Sequence, residues 1–144
     1  MSANVHVHLH AKDLAASRDF YRKFLGADPV KEKPGYVKFL PDFAPLNLAL
    51  TPREPGESGA PGGHLGIQVH APESVRRHLE RVKAAGLAVR EQLGVVCCHA
   101  EQDKFWVVDP DGLEWEVYYL ARDVEDAAPE SATACCPVSG PRSE

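Results

Sequence analysis

Val5-His6-Val7-His8-Leu9-His10-Ala11 alternates apolar and polar residues, the period of a strand with one dry face. Directly after it, Asp13 stands where a helix needs its cap. Leu14, Phe20, Tyr21, Phe24 and Leu25 then recur at helical spacing until Gly26 closes the run. The same order begins again 58 positions after His6 (64 − 6): His64 to His70 reads as a strand, and Glu73 to Ala85 as an amphipathic helix stopped by Gly86. The repeat is weak as identity and clear as an order of elements.

Further strands follow each helix. In the first half, Lys33-Pro34-Gly35 marks a turn, and Tyr36 to Leu40 and Leu46 to Leu50 are strands separated by a bend from Pro41 to Pro45. In the second half, Leu87 to Glu91, Cys97 to Gln102, Phe105 to Asp109 and Trp115 to Leu120 supply strands or extended loops. Asp109-Pro110-Asp111-Gly112 forms the hairpin turn between the last two. Residues 52–63, rich in Pro and Gly, read as a linker, and 123–144 as a disordered tail. The chain is therefore expected to be an α+β domain over 1–122, with modules at about 4–51 and 64–121. Neither half can bury both faces of its sheet alone, whereas two halves side by side can form one curved sheet around a central cavity.

The 144 residues fit one domain, and the net charge of −5 argues against a nucleic-acid surface, which needs clustered Lys and Arg. No run approaches the roughly 20 apolar residues of a membrane span. With no charged lead before an apolar run at the N-terminus, a cytoplasmic location is expected. The four cysteines would then be thiols, arranged as two adjacent pairs, Cys97-Cys98 and Cys135-Cys136. Neighbouring Cα atoms, about 3.8 Å apart, are too close for an unstrained disulfide. Adjacent thiols suit a soft, thiophilic atom instead.

His6, His64 and Glu116 stand at matching places in the repeated frame: the first strand of each half and the last strand of the second. Two imidazoles and a carboxylate make a facial triad that leaves positions open for substrate and dioxygen. The set suits Fe(II), with Mn(II), Co(II), Ni(II) and Zn(II) as competitors. Strand parity leaves alternatives, since His6, His8 and His10 share one face, as do Glu114 and Glu116. Trp106, Trp115, Tyr36 and Phe39 read as core and cavity wall.

His6, the helix start Asp13-Leu14-Ala15-Ala16-Ser17 with Phe20-Tyr21, His64-Leu65-Gly66, and Asp109-Pro110-Asp111-Gly112 leading to Glu116 together resemble the vicinal-oxygen-chelate superfamily. That superfamily holds glyoxalase I, bleomycin-resistance proteins and extradiol dioxygenases. The resemblance covers residues 4 to about 121 and implies two tandem βαβββ modules around a central metal site. In the family a ligand lies seven positions before the Asp of the helix start, which points to His6 (13 − 6). Lys33-Pro34-Gly35-Tyr36, Cys97-Cys98, Gln102-Asp103-Lys104 with Trp106-Val107, and Trp115-Glu116-Val117-Tyr118 are similar to the cadmium-induced and carbon–arsenic lyase branch. A trailing Cys-Cys pair is also typical of that branch. Members can carry Gln at the position of His6. The fourth ligand of glyoxalase I, a Glu on the last strand of the first half, falls near Ala49 here, which has no carboxylate.

The resemblance implies an Fe(II)-dependent dioxygenase that cleaves the carbon–arsenic bond of trivalent organoarsenicals, methyl or aromatic, to give arsenite. Its metal ligands are His6, His64 and Glu116, and dioxygen is the co-substrate. Cys97 and Cys98 would bind arsenic as thiolates. Both sulfurs reach one atom only if the pair lies in a loop or bulge, a bend that Gly94 permits. Cys135 and Cys136 are incidental or a second metalloid-capturing pair. Lys104 and His99 flank the thiols, facing solvent or holding a polar ring substituent. Two other readings compete: an extradiol-type dioxygenase or glutathione-dependent lyase of the same fold, and a non-catalytic cadmium or arsenite sequestering protein. The partners expected are small molecules, with neither nucleic acid nor membrane, and the chain is a monomer or a homodimer.

Overall fold

A computed structural model describes residues 3–56, 63–97 and 100–123, with side chains for all of these except 95–97, 100–102, 122 and 123. The element order is β1 (Val5–Ala11), α1 (Leu14–Leu25), β2 (Lys31–Lys33), β3 (Tyr36–Phe39), β4 (Leu46–Pro52), β5 (His64–Gln68), α2 (Pro72–Ala84), β6 (Arg90–Cys97), β7 (Ala100–Val108) and β8 (Glu114–Asp123). These make two four-stranded sheets with the same topology, β1-β4-β3-β2 and β5-β8-β7-β6. In each, the first strand runs parallel to the last and the other pairings are antiparallel. The α+β class and the tandem modules are those expected.

Asp13 caps α1 by accepting a hydrogen bond from the Ala16 N–H, and Gly26 ends it in the left-handed conformation at φ 64°. Three boundaries differ from expectation. Lys31-Glu32-Lys33 is a strand despite having no apolar face, because the open edge of β3 supplies its backbone partners. β6 and β7 are long and continuous where three short segments were expected. A bulge between Gln92 and Val95, with Gly94 at φ 67°, carries β6 past its apparent break. Strand β8 also runs to Asp123, into the stretch read as tail.

Leu46, Leu48 and Leu50 from the first sheet, Phe105, Val107, Trp115 and Val117 from the second, and Phe20, Phe24, Val75 and Val82 from the helices share one core. The turn at Asp109–Gly112 fastens the halves together. Buried Asp109 accepts the Tyr21 hydroxyl at 2.7 Å and the N–H groups of Asp111 and Leu113, and Trp115 Nε1 donates to Tyr21 at 3.0 Å. Asp111 accepts from the Lys12 N–H, the Ser17 hydroxyl and Arg53. Burial, reinforced by Asp109, pushes the Tyr21 hydroxyl far above its ordinary range, so it stays a donor. The edge strands β1 and β5 line a common apolar cavity of about 260 Å³, walled by Val5, Val7, Leu65, Ile67 and Trp115. Among the described residues no helix is long and apolar enough to cross a membrane.

Candidate metal centre

Register decides which side chains meet. Across the second sheet, Gly66, Glu116, Trp106 and Arg90 form one row, and Gln68, Tyr118, Lys104 and Gln92 the next. Directly paired residues share a face. Phe105, Val107, Trp115 and Val117 therefore point into the core, and the two rows line the opposite face.

On that face His64 Nε2 lies 3.7 Å from Glu116 Oε1, with the imidazole half-exposed and the carboxylate largely buried. Two ligands each ~2.1 Å from a shared ion lie about 3–4 Å apart, so the spacing suits a common metal. Gly66 makes the room. A Cβ there would stand 3.0 Å from Glu116 Cγ and 3.2 Å from Oε1, close enough that the Glu116 side chain would have to shift by a few tenths of an ångström. The other carboxylate oxygen, Oε2, is 3.4 Å from Lys104 Nζ. Trp106 joins the group: His64 meets its ring at a centroid distance of 4.9 Å, and its Nε1 donates to Gln92 at 3.1 Å.

In the first sheet, His6 Nδ1 lies 3.2 Å from the Asn47 carbonyl oxygen. A carbonyl only accepts, so this contact suits the neutral tautomer with its proton on Nδ1, the one that leaves Nε2 open to a metal. Asn47 Oδ1 is buried with no hydrogen-bond partner among the described residues. His8 Nε2 is 2.8 Å from the Thr51 hydroxyl, and His8 and His10 stack at 4.7 Å. The structure thus brings His64 and Glu116 together, and His6 stays with its own sheet. Among the described residues no three His, Cys, Asp or Glu side chains form a ready-made cage. Ala49 pairs with His8, as Glu116 pairs with Gly66, so the fourth-ligand place of the first module holds a methyl group.

Cys97 ends β6 opposite Ala100, the first residue of β7. The Gly94 bulge lies upstream, where its N–H donates to Asp103 Oδ1 at 2.6 Å. Cys98, His99, Cys135 and Cys136 lie outside the described residues.

Lys104 departs from the solvent-facing alternative: it is 4% exposed and paired with the largely buried Glu116. Sequence reasoning also gave Gly66 and Trp106 no part beside Glu116. The available signal was a lysine heading Lys104-Phe105-Trp106-Val107, where one face of the strand is apolar throughout.

The paired four-stranded sheets and the His–Glu pair at the head of the second one define the class, and comparison with known proteins agrees. The chain belongs to the Glyoxalase/Bleomycin resistance protein/Dioxygenase superfamily, which it matches over residues 4–117. It is 43% identical over 131 residues to the trivalent organoarsenical cleaving enzyme of Bacillus sp. (strain MD1), covering 90% of this chain and 81% of the relative. It is 36% identical to the cadmium-induced protein CadI of Mycobacterium bovis, covering 93% of both chains. A glyoxalase/bleomycin resistance protein/dioxygenase structure from Alicyclobacillus acidocaldarius shares the fold, with a TM-score of 0.63 at 21% identity, covering 83% of this chain and 92% of that one.

Proposed function

We propose that this protein is an Fe(II)-dependent dioxygenase that cleaves the carbon–arsenic bond of trivalent organoarsenicals and releases arsenite. The observation that carries the reading is the convergence of His64 and Glu116 at 3.7 Å over the side-chain-free Gly66, in a chain 43% identical to an organoarsenical cleaving enzyme. His64 Nε2 and Glu116 Oε1 would hold the metal from the second module, and His6 Nε2 would complete the set from the first. Bound iron supplies the activation of dioxygen that an unaided protein side chain cannot.

The chain's own residues then place the substrate. Cys97 and Cys98 exchange their thiolates for the hydroxyls of the trivalent arsenic, leaving its methyl or aryl group directed at the metal side. Holding the reacting carbon there makes the oxidation effectively intramolecular. Trp106 fixes the His64 ring and keeps water from that side of the pair. Modules 4–51 and 64–121 act as one catalytic domain, with Cys135 and Cys136 as an accessory thiol pair.

The test is direct. Fe(II) is added to anaerobic protein, a methyl- or phenylarsenical(III) is supplied, oxygen is admitted, and arsenite is quantified by chromatography with elemental detection. Arsenite that requires Fe(II), oxygen and intact Cys97 and Cys98 is the expected result. Turnover undiminished in Cys97→Ser would refute the role of the thiols. Arsenical retained on the protein without arsenite release would mark a sequestering protein.

A further inference from the structure

We propose that Lys104 is the resident counter-cation of this site. In the metal-free protein it balances the charge of Glu116, and it sets both the oxygen through which that carboxylate takes a metal ion and how tightly. The inference rests on the reading of His64 and Glu116 as metal ligands.

An ammonium 4% exposed needs a compensating charge, and among the described residues the ion pair of Lys104 is with Glu116, at 3.4 Å. It is also held in place. Lys104 Nζ lies 5.6 Å from the centroid of Trp106, whose indole is fixed by the Gln92 hydrogen bond and by the Arg90 guanidinium at 5.2 Å on its ring. The two oxygens of Glu116 therefore have separate partners: Oε2 belongs to Lys104, and Oε1 faces His64. Oε1 is thus the oxygen left to a metal ion, and Oε2 would stay with the ammonium.

The charges set the sign of the effect. A divalent ion at Oε1 brings two positive charges near a third held by Glu116 and Trp106, so Lys104 weakens metal binding relative to an uncharged side chain of the same length. Without metal the balance reverses. Removing the ammonium leaves a buried carboxylate uncompensated, and the metal-free fold loses stability. Lys104 is thus a positioning residue acting through Glu116, one that keeps the empty site folded and the metal exchangeable.

Co(II) titration of the full chain, followed by its visible absorption and by competition with a chelator, tests this alongside melting of the metal-free proteins. Lys104→Met is expected to bind Co(II) at least tenfold more tightly than wild type, to melt lower without metal, and to gain a larger Tm rise on adding Co(II). Lys104→Arg, which keeps the charge, is expected to stay within a few-fold of wild type. Should Lys104→Met not fold alone, Co(II) present during refolding is expected to recover it, with Lys104→Gln carrying the affinity measurement. Failure of that recovery overturns the proposal, as does Lys104→Met binding equal to or weaker than wild type. Wild type that takes up no Co(II), or uptake unchanged in His64→Ala, overturns the metal reading and this inference with it.

Discussion

In the first sheet the row through Ala49 reads His8, Ala49, Lys38, Lys31; in the second the matching row reads Gly66, Glu116, Trp106, Arg90. The backbones are the same ladder, and the chemistry differs at every rung. Where the second sheet has an acid with cleared space beside it, the first has a methyl group beside an imidazole. Where the second has an indole that fixes a histidine, the first has a lysine that repels cations. The difference teaches that one ladder can bring an acid and an imidazole together or leave them unpaired, and that one acid, one glycine and one aromatic ring decide which.

The largest effect expected is from Glu116→Ala, which should lower metal affinity and arsenite release more than about a hundredfold, beyond the ten- to hundredfold typical of a ligand's supporting partner. Lys38→Ala, the mutation at the Trp106 place of the first sheet, should change either by less than about threefold. Equal losses in both variants would erase the asymmetry. Next is Gly66→Ala. Its Cβ would stand 3.2 Å from Glu116 Oε1, and calorimetry should show Co(II) binding weakened about tenfold with the melting temperature nearly kept. Installing the missing acid is the converse test: His8→Gly with Ala49→Glu should tighten Co(II) binding by supplying a fourth ligand from the first sheet, whereas Ala49→Glu alone should not, because His8 occupies the space Gly66 leaves open.

Smaller effects concern the joint between the modules. Tyr21→Phe leaves the buried Asp109 carboxylate short of one donor and should cost about 2 kcal/mol, read as a fall of roughly 5 °C in Tm, with metal affinity unchanged. His78 of the second helix stacks on Phe43 of the first module at 4.3 Å, and burial, together with Arg81 and Arg77, holds its pKa down to about 4. The folded imidazole stays neutral where the unfolded one, near 6.5, takes a proton. This contribution to stability is present above pH ~6.5 and is lost as the pH falls toward 4. Melting curves of His78→Gln should be flatter across that window.

The frame of this comparison was legible in the sequence. Asp13 and Gly26 bracket a helically spaced apolar run and are residues that helix ends favour, and Asp109-Pro110-Asp111-Gly112 permits little besides a turn. His6 and His64 could be matched because they recur at equivalent places, and Glu116 stood out as an acid on the last strand of the second half. What stayed hidden depended on contacts across strands. Lys31-Glu32-Lys33 has no apolar periodicity, and its strand exists only through the edge it meets. Lys104 reads as a surface residue until register sets it on the row next to that of Glu116, within reach of its carboxylate. The place of His6 relative to the His64–Glu116 pair is likewise tertiary, because the periodicity of β1 fixes the face and not the partner sheet.

The turn at Asp109–Gly112 also bears on the order in which the molecule folds. Its ties to Lys12, Ser17 and Tyr21 span 99, 94 and 88 residues, whereas β1 meets β4 across about forty. Closing such long loops comes late, after nearer contacts have formed. Loss of the Tyr21 hydroxyl should therefore quicken unfolding and leave the refolding rate almost untouched, a φ-value near zero. Each module would fold along its own ladder first, and the joint would govern how long the finished molecule lasts.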